Sequence, residues 1–292
     1  MLTIVTESSS GLTRDEAEEL GVTLIPTYYS VDGVTHRELY TNECGNYREF
    51  LRPELTMHTE PAFPQVYVEA FSKAFAQGND VLCITISSRL SAGDRSALNA
   101  EKFFYAKEDV ALIVDEDTPG ERHDELRVID SYAAGSALEL LVRTARAAAY
   151  RGLSFEEIVA AVEARRDHIH TLFSVPDMAV LRRSGRLTNT RRSVTATLDR
   201  FPVFELKRGA IATAWVARGT AGMAKTMLLR VPADVKHLMV AYYGEDTKAL
   251  HRLVDSIHRQ RPDAYVTVKD GGPALTTNLG IGAVSLIWDD GE

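Results

Sequence analysis

At 292 residues, with 45 % hydrophobic and 25 % charged side chains, the chain has the composition of a soluble protein long enough for two domains with their own cores. A net charge of -8 disfavours nonspecific nucleic-acid binding, which needs Lys and Arg clustered on one broad face. The opening Met1–Glu7 carries no basic segment ahead of a long apolar run, and no apolar stretch reaches the roughly 18 residues that would span a bilayer, so a cytoplasmic protein is expected.

The first half alternates strand and helix. Leu2 to Val5 reads as a strand, and Thr13 with Glu16 forms a capping box for a helix through Leu20 that Gly21 closes. Val22 to Pro26 is the next strand. Tyr28 to Val31 and Val34-Thr35 flank Asp32-Gly33, a pair that supplies the positive φ values of a tight hairpin turn. A helix carrying Phe50 and Leu51 is expected, then one opened by Pro64 and stopped by Gly78, with Tyr67, Ala70, Phe71, Ala74 and Phe75 at helical spacing as core residues.

Val81 to Ile86 is apolar and partly β-branched, as in a strand covered on both faces, and its Cys83 reads as a small buried hydrophobe. With Cys44 as the other cysteine, no disulfide framework is implied. The strand empties into a hydroxyl-rich turn, Ser87-Ser88-Arg89-Leu90-Ser91, before a helix from Ser91 to Tyr105 with Ser91 or Asp94 as its N-cap. A strand end meeting a helix start presents unpaired N–H groups, so Ser87, Ser88 and Ser91 sit where a carboxylate or phosphate would be held. Serines at such a place also serve as simple capping residues.

Strands follow at Val110 to Val114 and Arg127 to Ile129, separated by an acidic loop near Thr118 to Asp124. A helix from Ala133 to Tyr150 stops at Gly152, and Ser154 with Glu157 caps the next. The domain boundary is placed there. Beyond it a hairpin, Phe201 to Leu206 and Ile211 to Val216, turns at Lys207-Arg208-Gly209; strands at His237 to Tyr243 and Ala264 to Val268 enclose a helix with Leu250, Leu253, Val254 and Ile257. His168 and His170 would share a strand face, a spacing without an evident third metal ligand; His251 and His258 read as surface residues. Arg182, Arg183, Arg186, Arg191 and Arg192 form one basic cluster near the end of a helix signalled by Pro176 and closed by Gly185. They serve either as solvated helix-end charges or as a docking surface for phosphate or carboxylate.

Seven segments, in order and approximate spacing, resemble the DegV family: I-V-T-E-S-S-S-G-L at 4–12, V-T-L-I-P at 22–26, H-T-E-P at 58–61, I-S-S-R-L-S-A-G at 86–93, V-I-D-S at 128–131, L-R-R-S-G-R-L at 181–187 and G-P-A-L-T-T-N-L-G-I-G-A at 272–283. The resemblance implies a two-domain α/β protein: an N-terminal parallel-sheet, Rossmann-like α/β domain over 1–153 and a C-terminal α+β domain over 154–292. One long-chain fatty acid, such as palmitate, is held between them, with no cofactor or metal and no catalysis of its own. It further implies a monomer with at most peripheral membrane contact, and, as in some members, a fatty acid kinase as partner. Burying an acyl chain gains about 0.8 kcal/mol per CH₂, so some fourteen methylenes offset a transfer cost of about 11 kcal/mol.

Hydroxyls and helix N–H groups can hold a carboxylate without a permanent ion pair, which makes Ser91 the first choice for the head group, with Ser88 of the same turn as a further candidate. The family's second head-group contact is a Thr in Thr-Ser-Gln-Pro; here His58, Thr59, Glu60 and Pro61 stand there, so the aligned residue is His58 and the nearest hydroxyl Thr59. Near the carboxyl end the family commonly has a His in Gly-x-His-x-Gly-Pro-Gly. This chain has Asn278, with Ile281 in place of the Pro. Asn can hydrogen-bond but cannot exchange a proton. Arg186 is implied beside the head group, and Arg218, with Arg182 and Arg183, on a surface that meets the kinase. The rival class is a small-molecule phosphotransferase or hydrolase using Ser91 with His58, which requires the two to be close. A purely structural interaction protein is the third possibility, favoured by a closed, empty cleft.

Overall fold

A computed structural model describes residues 1–49, 51, 55–111, 125–187, 200–245 and 247–291. In chain order the first half comprises β1 (Leu2–Glu7), α1 (Arg14–Glu19), β2 (Val22–Ile25), β3 (Thr27–Val31), β4 (Val34–Glu38), β5 (Met57–Glu60), α2 (Pro64–Phe75), β6 (Asp80–Thr85), α3 (Gly93–Ala111), β7 (Leu126–Asp130) and α4 (Ser136–Tyr150). The second half comprises α5 (Phe155–Arg166), β8 (Ile169–Ser174), α6 (Met178–Arg183), β9 (Arg200–Lys207), β10 (Ala210–Arg218), α7 (Gly219–Leu228), β11 (His237–Tyr242), α8 (Lys248–Gln260), β12 (Tyr265–Asp270), α9 (Gly272–Leu279) and β13 (Val284–Asp289).

Local chemistry sets many of these boundaries. Both capping boxes form: the Thr13 hydroxyl accepts from the Glu16 amide and the Ser154 hydroxyl from the Glu157 amide, while each glutamate carboxylate accepts from its cap's backbone N–H. Asp32 and Gly33 adopt φ of 46° and 81°, and Arg208 and Gly209 adopt 46° and 77°, so both hairpins close on two left-handed residues.

Three sheets result. A four-stranded parallel sheet runs β2-β1-β6-β7, a six-stranded mixed sheet runs β10-β9-β8-β13-β11-β12, and a small antiparallel sheet runs β4-β3-β5. Helix α4 lies between the two large sheets: Leu138, Leu141, Val142 and Ala145 share one buried cluster with Ile4, Leu82 and Ile84 of the parallel sheet and Phe173, Phe204 and Ile287 of the mixed one. Each large aliphatic or aromatic side chain buried there contributes about 1.5–3 kcal/mol. Tyr67 and Phe71 of α2 cover the opposite face of the parallel sheet, and Met227 of α7 with Leu253 and Ile257 of α8 cover that of the mixed sheet. The boundary expected at 153/154 falls in the turn between α4 and α5.

Four expectations need correction or fall outside the described residues. The Val110 to Val114 strand does not begin at Val110, because α3 continues through Ala111; residues 112–114 and the acidic loop lie outside the described residues. No helix contains Leu51, which follows a 3₁₀ turn at Tyr47–Glu49; Phe50 lies outside the described residues. Asp94 is not an N-cap but a residue of the first turn of α3, where its carboxylate accepts from the Thr85 hydroxyl at 3.1 Å. Arg191 and Arg192 lie outside the described residues.

The strand order fixes where a ligand can sit. From β1 the chain moves outward to β2, then returns to pair β6 on the other side of β1, so the order reverses between β1 and β6. In open parallel sheets the crevice beyond the carboxyl ends of strands at such a reversal is where ligands bind. Here it is edged by Ser8–Ser10 after β1 and by the Ser87–Ser91 turn after β6.

Candidate functional site

A cavity enclosing about 820 Å³ of empty space, part of it open to solvent, begins at that crevice and runs toward the mixed sheet. Ile86, Leu90, Leu181, Leu275 and Leu279 form much of its apolar wall, and Phe173, Leu206 and Ile211 close it on the mixed sheet.

Ser91 and Thr59 both line this cavity. The Ser91 hydroxyl accepts from the Gly93 amide at 3.2 Å, which fixes its oxygen while leaving its own proton available to a guest. Thr59 sits on β5, paired with Tyr29 of β3, and β5 alternates so that Thr59 is half-buried while His58 and Glu60 are exposed. His58 turns to Glu60, 3.1 Å away, and lines a smaller adjoining cavity with Thr59, Arg183, Arg186 and Asn278. Ser88 is exposed, and its amide donates to Asp130. Ser87 is buried, and its hydroxyl donates to the Gly209 carbonyl at 2.9 Å, bridging the serine turn to the β9-β10 hairpin.

Arg186 connects these parts. Its Nε donates to the Leu90 carbonyl at 3.0 Å, Nη1 to the Ser184 carbonyl at 2.8 Å and to Asn278 Oδ1 at 2.6 Å, and Nη2 to Thr59 Oγ1 at 3.2 Å. Asn278 Nδ2 donates in turn to Thr59 Oγ1 at 3.2 Å and to the Ala274 carbonyl at 2.9 Å. Four separate segments thereby converge on one guanidinium. Every acceptor is neutral, and among the described residues no carboxylate pairs with Arg186. Burial lowers its pKa from the usual guanidinium value, yet arginine stays charged at neutral pH. The cavity lining thus includes a half-buried cation whose partners are all neutral, beside hydroxyl and amide donors and among apolar side chains.

Two buried glutamates support this frame, and neither was anticipated from the sequence. Glu7, at the end of β1, accepts from the Tyr67 hydroxyl at 2.9 Å and the Ile86 amide at 2.5 Å. Burial raises its pKa to about 7. A Cβ at position 93 would stand 1.9 Å from Glu7 Oε1, so only glycine lets α3 start against this carboxyl. Glu38, at the end of β4, accepts from the Ala274 amide at 2.7 Å in the first turn of α9, and burial raises its pKa to about 8. Sequence spacing carries no signal for either, since glutamate at a strand end ordinarily faces water.

His168 Nδ1 and His170 Nε2 both face Asp290, at 3.0 and 2.7 Å. Among the described residues no three His, Cys, Asp or Glu side chains cluster as metal ligands, and no helix is long and apolar enough to cross a membrane. His251 and His258 are exposed on α8.

Residues 1–290 match the family described as "Uncharacterised protein, DegV family". A DegV domain-containing protein of Mycobacterium bovis is 25 % identical over 296 residues, covering 99 % of this chain and 97 % of the relative. Among solved structures, a fatty-acid-binding DegV family protein from Thermus thermophilus superposes with a TM-score of 0.81 at 24 % identity, covering 99 % of both chains. A stearic acid-binding protein from Eubacterium ventriosum gives a TM-score of 0.80 at 21 % identity, covering 99 % of this chain and 98 % of the other. The Streptococcus pneumoniae Fatty Acid Kinase (Fak) B3 protein, loaded with linoleic acid, gives 0.76 at 19 % identity over 99 % of both chains.

Proposed function

Because this chain belongs to the DegV family, we propose that it is a cytoplasmic, monomeric carrier that holds one long-chain fatty acid of palmitate's class between its two domains, divided near residue 153, and presents the carboxylate to a fatty acid kinase. The acyl chain fills the apolar tube, whose burial supplies the affinity. Ser91 donates to one carboxylate oxygen; Thr59, Asn278 and Arg186 form the polar frame around the other. The observation that carries this reading is Arg186: a half-buried cation with only neutral partners at the mouth of an apolar cavity is complementary to an anion on a hydrocarbon chain.

Presentation follows from the same geometry. Hydroxyls and a shared guanidinium hold the carboxylate ionised without enclosing it, so an oxygen can attack the terminal phosphorus of a nucleoside triphosphate held by the kinase, forming the acyl phosphate as the bond to the departing nucleoside diphosphate breaks. Asn278 can orient that oxygen but cannot exchange a proton, so acid-base chemistry belongs to the partner. Arg182, Arg183 and Arg218 are exposed, and Arg183 lines the cavity adjoining the mouth; they are proposed as the docking surface. His58 and Ser88 face outward beside the same mouth.

The test is carbon-13 NMR with carboxyl-labelled palmitate. A single bound carboxyl resonance that stays ionised below the pH at which the free acid titrates, with a shift and a titration midpoint that move toward the free values in Ser91→Ala, is expected. No bound resonance at stoichiometric protein would overturn the proposal.

A further inference from the structure

The cavity is not apolar throughout. Away from the head-group frame, Ser9, Tyr243 and Ser285 also line it, and they are only 4 %, 5 % and 1 % exposed. Ser9 Oγ has no hydrogen-bond partner. Tyr243 and Ser285 share one hydrogen bond, at 3.2 Å, in which either can donate. Of three hydroxyl protons, one is therefore used. Buried hydroxyls are seldom left so, because each unpaired group costs more than a typical hydrogen bond gains.

The fold brings these groups together through Gly135. Its amide donates to the Ser9 carbonyl at 2.8 Å, and a Cβ there would stand 3.8 Å from the Tyr243 hydroxyl and 3.4 Å from Leu275 Cδ1. With φ of +60°, position 135 also favours glycine. Leu275 precedes Asn278 by nearly one turn of α9, a rise of about 4.5 Å. The hydroxyl patch thus lies beside Leu275, about one turn of α9 from the head-group residue Asn278.

Resting on the carrier reading above, we propose that the preferred ligand is an oxygenated fatty acid, with a hydroxyl on the carboxyl-proximal half of its chain, recognised by Ser9, Tyr243 and Ser285. A ligand hydroxyl there accepts from one of the unused protons and donates to a remaining lone pair. An unsubstituted methylene leaves both protein donors unpaired, so discrimination resides in the protein's own unsatisfied groups.

The experiment measures affinities of stearic acid and of a positional series of monohydroxystearic acids by competition against a fluorescent fatty acid. Isomers substituted in the carboxyl-proximal half should bind about fivefold tighter than stearic acid, the worth of one net hydrogen bond. That ratio should fall to about one in Tyr243→Phe and in Ser9→Ala; the second variant keeps the test decisive where the first fails to fold. Stearic acid binding tightly while every isomer binds no better, as when a trapped water already satisfies the patch, overturns this inference and leaves the carrier reading standing. A ratio that survives both variants also overturns it. Failure of stearic acid itself to bind removes the carrier reading, and the inference with it.

Discussion

Replacing Arg186 tests the head-group assignment most sharply. The guanidinium makes four hydrogen bonds, two of them from Nη1, to Leu90, Ser184, Asn278 and Thr59. Arg186→Gln removes the charge and leaves the Asn278 and Thr59 oxygens to reorient, so a bound carboxylate loses both its counter-ion and its oriented neighbours. A hydrogen bond involving an ionised group contributes about 1.5–3 kcal/mol, which translates to roughly 10- to 150-fold in affinity. Arg186→Lys keeps the charge as a point but cannot span the same acceptors, and a loss of about tenfold is expected. Calorimetric titration with palmitate and with hexadecanol, which shares the chain but carries no charge, separates head from tail. Palmitate affinity should fall in the order wild type, Lys, Gln, while hexadecanol affinity changes by less than about threefold. Equal losses for both ligands would mean that Arg186 shapes the cavity rather than meeting an anion, and the reasoning would fail.

Other substitutions probe the frame. Ser91→Ala and Thr59→Val should each weaken palmitate binding about 3- to 10-fold, read by competition; strengthened binding would remove the hydroxyls from the head-group site. Gly93→Ala forces a methyl group onto Glu7 Oε1 and should destabilise the protein by about 1–3 kcal/mol, read from urea midpoints, with Glu7→Gln/Gly93→Ala no better. Glu38 has its folded pKa raised from 4.5 to about 8 and Glu7 to about 7, both by burial. The folded state therefore holds more protons than the unfolded state above about pH 4.5, and stability falls as pH rises until each folded pKa is passed. Between pH 7 and 8 the slope should come mainly from Glu38, and Glu38→Gln should flatten it; an unchanged slope in denaturant titrations would refute the buried-acid assignment.

Much of the frame was legible where a local rule decides it. Thr13, Ser154, Asp32-Gly33 and Arg208-Gly209 act through neighbours within a few residues, and each forms the cap or turn its chemistry requires. The elements that escaped notice depend on distant partners. Met57–Glu60 has weak alternation and becomes β5 only by pairing with β3, and α7 starts at Gly219 with no side-chain cap. Val110 lies in the last turn of α3, where charged residues give way to an apolar run, so a strand reading competed with the continuation of the helix.

The site divides the same way. Ser91 was legible from its strand-to-helix turn, and Arg186 and Asn278 through the family resemblance, but the residues alone do not reveal that Arg186 bridges Asn278, 92 residues away, and Thr59, 127 residues away. Nor does the sequence choose between His58 and Thr59; strand alternation in β5 turns Thr59 toward the cavity and His58 toward Glu60. The hydroxyl patch of Ser9, Tyr243 and Ser285 joins three elements, and no spacing rule could have gathered them.

Native mass spectrometry of the purified protein, followed by organic extraction and identification of what is released, tests the central claim most directly. The account predicts one fatty acid per chain, retained in the gas phase and depleted in Arg186→Gln. A protein that emerges empty and takes up no fatty acid at any chain length, plain or hydroxylated, would contradict it.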